Sequence, residues 1–159
     1  MLNSVNQLLV VAAVMAFVFL TPPLDIAAKG QEWKSSEVIR PEQLAKMLSG
    51  KSKQKPLVLQ VGFEFLYHDG HISGSEWAGP ASQQDGLNRL TNAVKNVPKN
   101  REIILYCGCC PWSECPNIRP AFETLEKLGF SNVKVMYVHT NFGQDWIDRG
   151  FPVTKGNKP

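Results

Sequence analysis

The four cysteines of the chain fall within nine residues, Cys107-Gly108-Cys109-Cys110-Pro111-Trp112-Ser113-Glu114-Cys115, after the apolar run Ile103-Ile104-Leu105-Tyr106 and before a helical pattern that begins near Asn117. At a strand-to-helix turn, backbone N–H groups converge and the helix dipole favours an anion. A thiolate held there has a lowered pKa and is therefore a nucleophile. Cys107, placed directly at the strand end, is the candidate for that role, although the same position fits an inert buried thiol. Cys110 follows at Cys-x-x-Cys spacing and could close a small disulfide as a resolving thiol. Cys109 is adjacent to Cys110, where a direct bond would be strained. Cys115 stands near the helix start; for Cys109, Cys110 and Cys115, redox participation and structural pairing are equally open.

The same residues bear on other chemistries. A structural disulfide framework ties distant segments together, whereas cysteines crowded into one loop close only small rings and remove little unfolded-state entropy. Four thiolates suit zinc or copper(I), but Cys-x-Cys-Cys-x4-Cys is not the spacing of structural zinc; copper(I) is the better metal alternative. Haem attachment requires Cys-x-x-Cys-His, and Pro111 follows Cys110. A phosphatase loop would want an arginine close behind the nucleophile, and Arg119 lies too far along. Within or beside the loop, Gly108, Trp112, Ser113 and Arg119 are supporting candidates: Trp112 as a shield or a docking knob, Arg119 as a surface residue or an attractor of anions. His71 reads as an ordering residue of its loop, His68 and His139 as surface residues, and Trp146 as core.

The elements that must hold this loop alternate between strand and helix. Pro41–Leu48 reads as a short helix with Pro41 at its start. Leu57–Val61 reads as a buried parallel strand, and Tyr67–Ser75 as a loop. Gln83–Val97 carries apolar residues at helical spacing up to Pro98. Ile103–Tyr106 is the strand before the cysteines. Ile118, Ala121, Phe122, Leu125 and Leu128 form a helical stripe closed by Gly129. Val133–Val138 is a further strand, and Asp145–Asp148 a final helical turn. Such alternation through short connections indicates an α/β protein with a largely parallel sheet, whose ligands bind beyond the carboxyl ends of the strands.

The N-terminal region is of a different kind. Leu8–Leu20 is thirteen apolar residues without interruption, short for a membrane span and right for a signal-peptide core. Ala27-Ala28 offer a cleavage site, although residues 1–7 hold no Lys or Arg. We therefore expect residues 1–28 to be a signal peptide or N-terminal membrane anchor, 29–36 a linker, and 37–155 one domain. Export to the periplasm or the exterior follows, with the cysteines free to oxidise. The net charge of +3 rises by one if residues 1–28 are lost, since they hold Asp25 and no base. Without a Lys/Arg run, nucleic acid is excluded as a partner. A hydrophobic content of 43% against 19% charged is that of a globular chain.

Taken together, Asp69-Gly70-His71-Ile72-Ser73-Gly74-Ser75, the strand delivering Cys107, and Leu128-Gly129-Phe130-Ser131-Asn132-Val133 followed by Trp146 and Gly150-Phe151-Pro152-Val153 resemble the rhodanese-like domain family. That resemblance implies a three-layer α/β/α fold with a mostly parallel central sheet. It also implies sulfur transfer without a cofactor: Cys107 takes sulfane sulfur from a small donor as a persulfide and passes it to a thiol acceptor. A protein redox partner belongs to the alternative, in which the Cys107/Cys110/Cys115 cluster acts as a thiol–disulfide device; a copper(I)- or partner-binding module is the second alternative. The chain departs from the family pattern at four places. Ser73 replaces a proline, Gln60-Val61-Gly62 lacks the charges of the usual Asp-Val-Arg unit, and Asn141-Phe142 replaces paired glycines. The active loop is lengthened, and its one charge, Glu114, speaks against thiosulfate as the donor.

Overall fold

The computed structural model describes residues 32–52 and 54–156; the expected signal or anchor segment, residues 1–28, lies outside them. The described residues from Trp33 onward belong to one compact unit. Among the described residues, no helix is long and apolar enough to cross a membrane.

The unit is α/β. A 3-10 turn at Ser35–Glu37 leads into β1 (Val38–Ile39) and α1 (Pro41–Ser49), and β2 (Leu57–Gln60) follows. Next come α2 (Glu64–Asp69), β3 (His71–Ile72), β4 (Glu76–Trp77) and α3 (Gln84–Ala93). The C-terminal half holds β5 (Ile103–Tyr106), α4 (Ile118–Lys127), β6 (Val133–Met136) and β7 (Val153–Thr154). The main sheet runs β1-β6-β5-β2-β4 with every neighbouring pair parallel. Antiparallel β3 and β7 make a separate two-stranded ribbon.

A central strand of a parallel sheet is buried on both faces, so its two sets of alternate side chains enter two different cores. In β5, Ile103 and Leu105 pack under α3 and α4 with Leu90, Ile118, Phe122 and Leu125. Ile104 and Tyr106 pack on the opposite side with Leu44 of α1, Phe142 and Trp146. The helices thus lie on both faces of the sheet. At roughly 1.5–3 kcal/mol for each fully buried aliphatic or aromatic side chain, these two cores fix the carboxyl end of β5 against the rest of the unit.

Three local expectations need adjustment. The stretch Tyr67–Ser75 is not loop throughout: it contains the end of α2 and the whole of β3. The helix expected over Gln83–Val97 stops at Ala93, and Val94–Val97 continue as a turn closed by Val97 N–H to Val94 O, 3.1 Å. The turn expected at Asp145–Asp148 is a π-helical turn over Gly143–Ile147. The cap read at Gly129 has the required left-handed backbone, φ +86°.

Candidate active site

The cysteine loop begins where β5 ends. Cys107 continues the β5 alternation into the core beneath α3 and α4, which leaves its side chain 3% exposed. Cys109 is exposed, Cys110 half-buried and Cys115 buried. The chain turns back through a 3-10 turn at Trp112–Glu114, where Ser113 is exposed. Trp112 N–H donates to Val138 O at 2.9 Å, anchoring the loop to the segment after β6. Trp112 also stacks on Trp33 (5.8 Å between centroids) and meets Tyr137 edge-on at 5.0 Å. It is therefore wedged in place rather than presented as a knob. The Arg119 guanidinium sits 3.5 Å from the centre of the Trp33 ring and near enough to Glu37 to help lower that carboxyl. Arg119 thus clamps the start of the unit to α4.

The sulfurs form a connected set with Cys109 at its hub. Cys109 Sγ lies 3.5 Å from Cys107 Sγ and 3.0 Å from Cys110 Sγ. Hydrogen bonding to Cys109, then to Cys115, with burial behind both, drives the Cys107 pKa upward, so this thiol holds its proton. Its S–H is the largest cause that brings Cys109 down to about 5. The same S–H is the largest cause for Cys115, brought down to about 7 with help from the Asn117 and Ile118 N–H groups at the start of α4. Burial raises Cys110. Protons in such a set are shared, and the sulfur most open to solvent is the one held as thiolate. The N–H groups at the helix start act on Cys115, whose place before the helix favours a thiolate, and not on Cys107.

Three further residues build the site. Asn117 is fully buried; its Oδ1 accepts the Ser82 N–H at 2.8 Å, and its Nδ2 donates to Cys107 Sγ at 3.5 Å. Gly62 is where the family pattern would place an arginine, and a Cβ there would stand 3.1 Å from Cys107 Sγ. Gln60, also buried, turns back so that its Oε1 accepts the Gly62 N–H at 3.2 Å. The charged pair of the family pattern is thus exchanged for a neutral closure that leaves room for sulfur. Sequence reasoning missed Asn117 as a site residue because its type is common at helix starts. The close approach at residue 62 was legible only as a lost charge.

Beside the loop is a cavity of about 160 Å³, lined by Cys107, Gly108, Gln60, Leu66, Asp69 and Phe142 among others. Its walls are formed by Tyr106, by α2 and by the π-helical turn. Phe142, at the expected glycine pair, is buried against Tyr106 at 5.4 Å and Trp146 at 6.2 Å. Gly108, at φ +149°, accepts the Phe142 N–H on its carbonyl at 3.3 Å. His71 orders its surroundings as expected: its Nδ1–H donates to Tyr67 O at 2.8 Å, and its ring stacks on Tyr67 at 3.8 Å. His68, expected at the surface, is half-buried, whereas His139 is exposed and hydrogen-bonds Tyr137 Oη at 3.0 Å.

Comparison with solved structures finds the same fold. The Alr3790 protein from Anabaena sp. is 21% identical, with a TM-score of 0.58, and the match covers 76% of this chain and 94% of that one. The BH2092 protein from Bacillus halodurans is 20% identical, with a TM-score of 0.59, covering 76% of this chain and 77% of that one. A variant of EanB in complex with hercynine is 22% identical, with a TM-score of 0.55, covering 78% of this chain but only 29% of that one. No curated protein matches. The family model for the rhodanese-like domain matches residues 40–138, which span β1's exit, the β2 terminus, the cysteine loop and β6. On that match, the chain belongs to the rhodanese-like domain family.

Proposed function

We propose that the chain is an exported sulfurtransferase that carries sulfane sulfur as a persulfide on Cys107. The observation that supports this most is the position of Cys107, at the carboxyl end of a central parallel strand and in the wall of a cavity, where ligands of such sheets bind. Cys107 holds its proton at rest, and Cys109 is the thiolate 3.5 Å away. As Cys107 sulfur attacks the donor's sulfane sulfur, its proton passes to Cys109. The donor's S–S bond breaks and the leaving group departs with the electron pair. An acceptor thiolate then attacks the outer sulfur, and Cys107 leaves as the thiolate that recovers the shared proton.

Asp69 in the cavity wall and Glu114 on the loop make the approach unfavourable for a dianion. A neutral persulfide or polysulfide fits better than thiosulfate. We place the protein in the periplasm or outside the cell, with residues 1–28 as its signal or anchor. The test is sulfur transfer from a small alkyl persulfide that carries no carboxylate to a small thiol. Cys107→Ser should abolish it, and full activity in that variant would refute the assignment.

The contacts of Cys109 favour a second reading, a thiol–disulfide device. Its sulfur touches both Cys107 and Cys110, so two thiols could pass two electrons and two protons to a partner's disulfide. The partner of either thiol would then be Cys109, where the sequence pointed to Cys110. A loop disulfide that does not exchange with glutathione or thioredoxin would remove this reading.

A further inference from the structure

Three of the four loop sulfurs lie close enough together to share one ion. The Sγ atoms of Cys107, Cys109 and Cys115 all lie within 4.8 Å of one another. Sulfurs each about 2.3 Å from a common centre stand about 3.8–4.0 Å apart, between the tetrahedral and trigonal limits. The 3.5 Å edge from Cys107 to Cys109 and the 4.8 Å bound bracket that range. Shifts of less than about 1 Å would let the three share one ion.

The donor set decides which ion. Among the described residues, no carboxylate or imidazole joins the group, a donor set that does not suit hard cations, which need oxygen ligands. Structural zinc closes its shell with four protein ligands, and Cys110 does not belong to the mutually close set. We propose that Cys107, Cys109 and Cys115 form a three-sulfur copper(I) site at the end of β5. Cys109, exposed, is the entry point from solvent, and Cys107 and Cys115, buried, close the inner side. Amide donors surround the inner sulfurs: Asn117 Nδ2 on Cys107, and the Asn117 and Ile118 N–H groups on Cys115. They are the kind of outer partners that hold thiolate ligands in orientation. Copper arrives and stays as Cu(I), so no electron moves; each sulfur that binds protonated releases its proton. The site stands independently of the sulfur-transfer proposal, but both use Cys107, so copper and a persulfide exclude each other.

The test titrates the full-length reduced protein anaerobically with Cu(I) against a colorimetric Cu(I) chelator. One copper per chain is expected, with an X-ray absorption shell of three sulfurs at about 2.3 Å. Cys109→Ser and Cys115→Ser should each weaken binding at least about 100-fold, the upper limit of what outer partners alone contribute. Cys110→Ser should lose less than about 100-fold, as an outer partner does, because its sulfur touches Cys109 at 3.0 Å but stands outside the coordinating set. Circular dichroism reports whether each variant folds; Cys109, being exposed, decides the matter if Cys115→Ser does not. The proposal is overturned if no copper leaves the chelator, if Cys110→Ser loses as much as Cys109→Ser, or if the protein takes zinc on four sulfurs and no copper. Persulfide formation, read by mass on the same preparation without copper, separates this outcome from failure of the sulfur-transfer reading.

Discussion

Replacing Cys107 by alanine should invert the pH behaviour of Cys109. In the native loop the Cys107 S–H lies against Cys109 at 3.5 Å and is the main reason Cys109 titrates at about 5. Without that donor, the limiting midpoint is that of a free thiol, about 8.5. At pH 6 the thiolate fraction then falls from about nine-tenths to about 0.3%, a loss of roughly 300-fold. The thiolate that remains is more basic by about 3.5 units and, at a Brønsted slope of about 0.4–0.5, roughly 25–55-fold more nucleophilic. Population wins at pH 6, where the variant should react about 5–12-fold more slowly. At pH 9 both forms are largely ionised and the variant should react about 20–40-fold faster. The two profiles therefore cross near pH 7, by the same slope and midpoints. The assay is the rate of reaction of Cys109 with a small aromatic disulfide from pH 4 to 10, followed by peptide mapping. Parallel profiles, or a native midpoint near that of a free thiol, would refute the shared-proton account.

Other perturbations test the scaffold that holds the loop. Gly86→Ala gains up to about 1 kcal/mol of helix propensity, but its Cβ would meet the Pro80 carbonyl oxygen at 2.0 Å and carbon at 2.4 Å. Overpacking against backbone, at about 3 kcal/mol, outweighs the gain, and Tm should fall by roughly 5–12 °C. Tyr106→Phe removes a buried hydroxyl that accepts the Ile72 N–H at 3.1 Å and pairs with Ser75 Oγ at 3.1 Å. Leaving that amide unpartnered should cost about 1–3 kcal/mol in denaturant unfolding. Asn117→Ala should cost about 0.5–1.5 kcal/mol, since the Ser82 N–H it releases belongs to an exposed residue and can turn to water, and should also slow sulfur uptake at Cys107, read by mass against time.

The strands that frame the site were legible because of burial on both faces. Leu57–Gln60, Ile103–Tyr106 and Val133–Met136 are short apolar runs, as central parallel strands must be. The two-residue strands β1, β3, β4 and β7 carry no readable period. Helix α2 went unread because its six residues are too few for a face. That four sulfurs share one loop was plain, but which sulfur touches which was not. The loop's path depends on Trp112 reaching Val138 and Trp33, contacts that no local spacing encodes. Cys109 consequently becomes the hub, although the sequence pointed to Cys107 and Cys110 as the working pair. Gly62, just after β2, and Asn117, just before α4, meet at Cys107, and only tertiary packing brings them together.

The most direct measurement is the intact mass of the reduced protein before and after exposure to a sulfane-sulfur donor, with peptide mapping of the loop. A gain of one sulfur atom located on Cys107, absent in Cys107→Ser, is the result expected of a persulfide carrier. Loss of two hydrogens for each pair of cysteines, with no sulfur gained, would contradict it and leave the loop as a dithiol switch on a rhodanese-like fold.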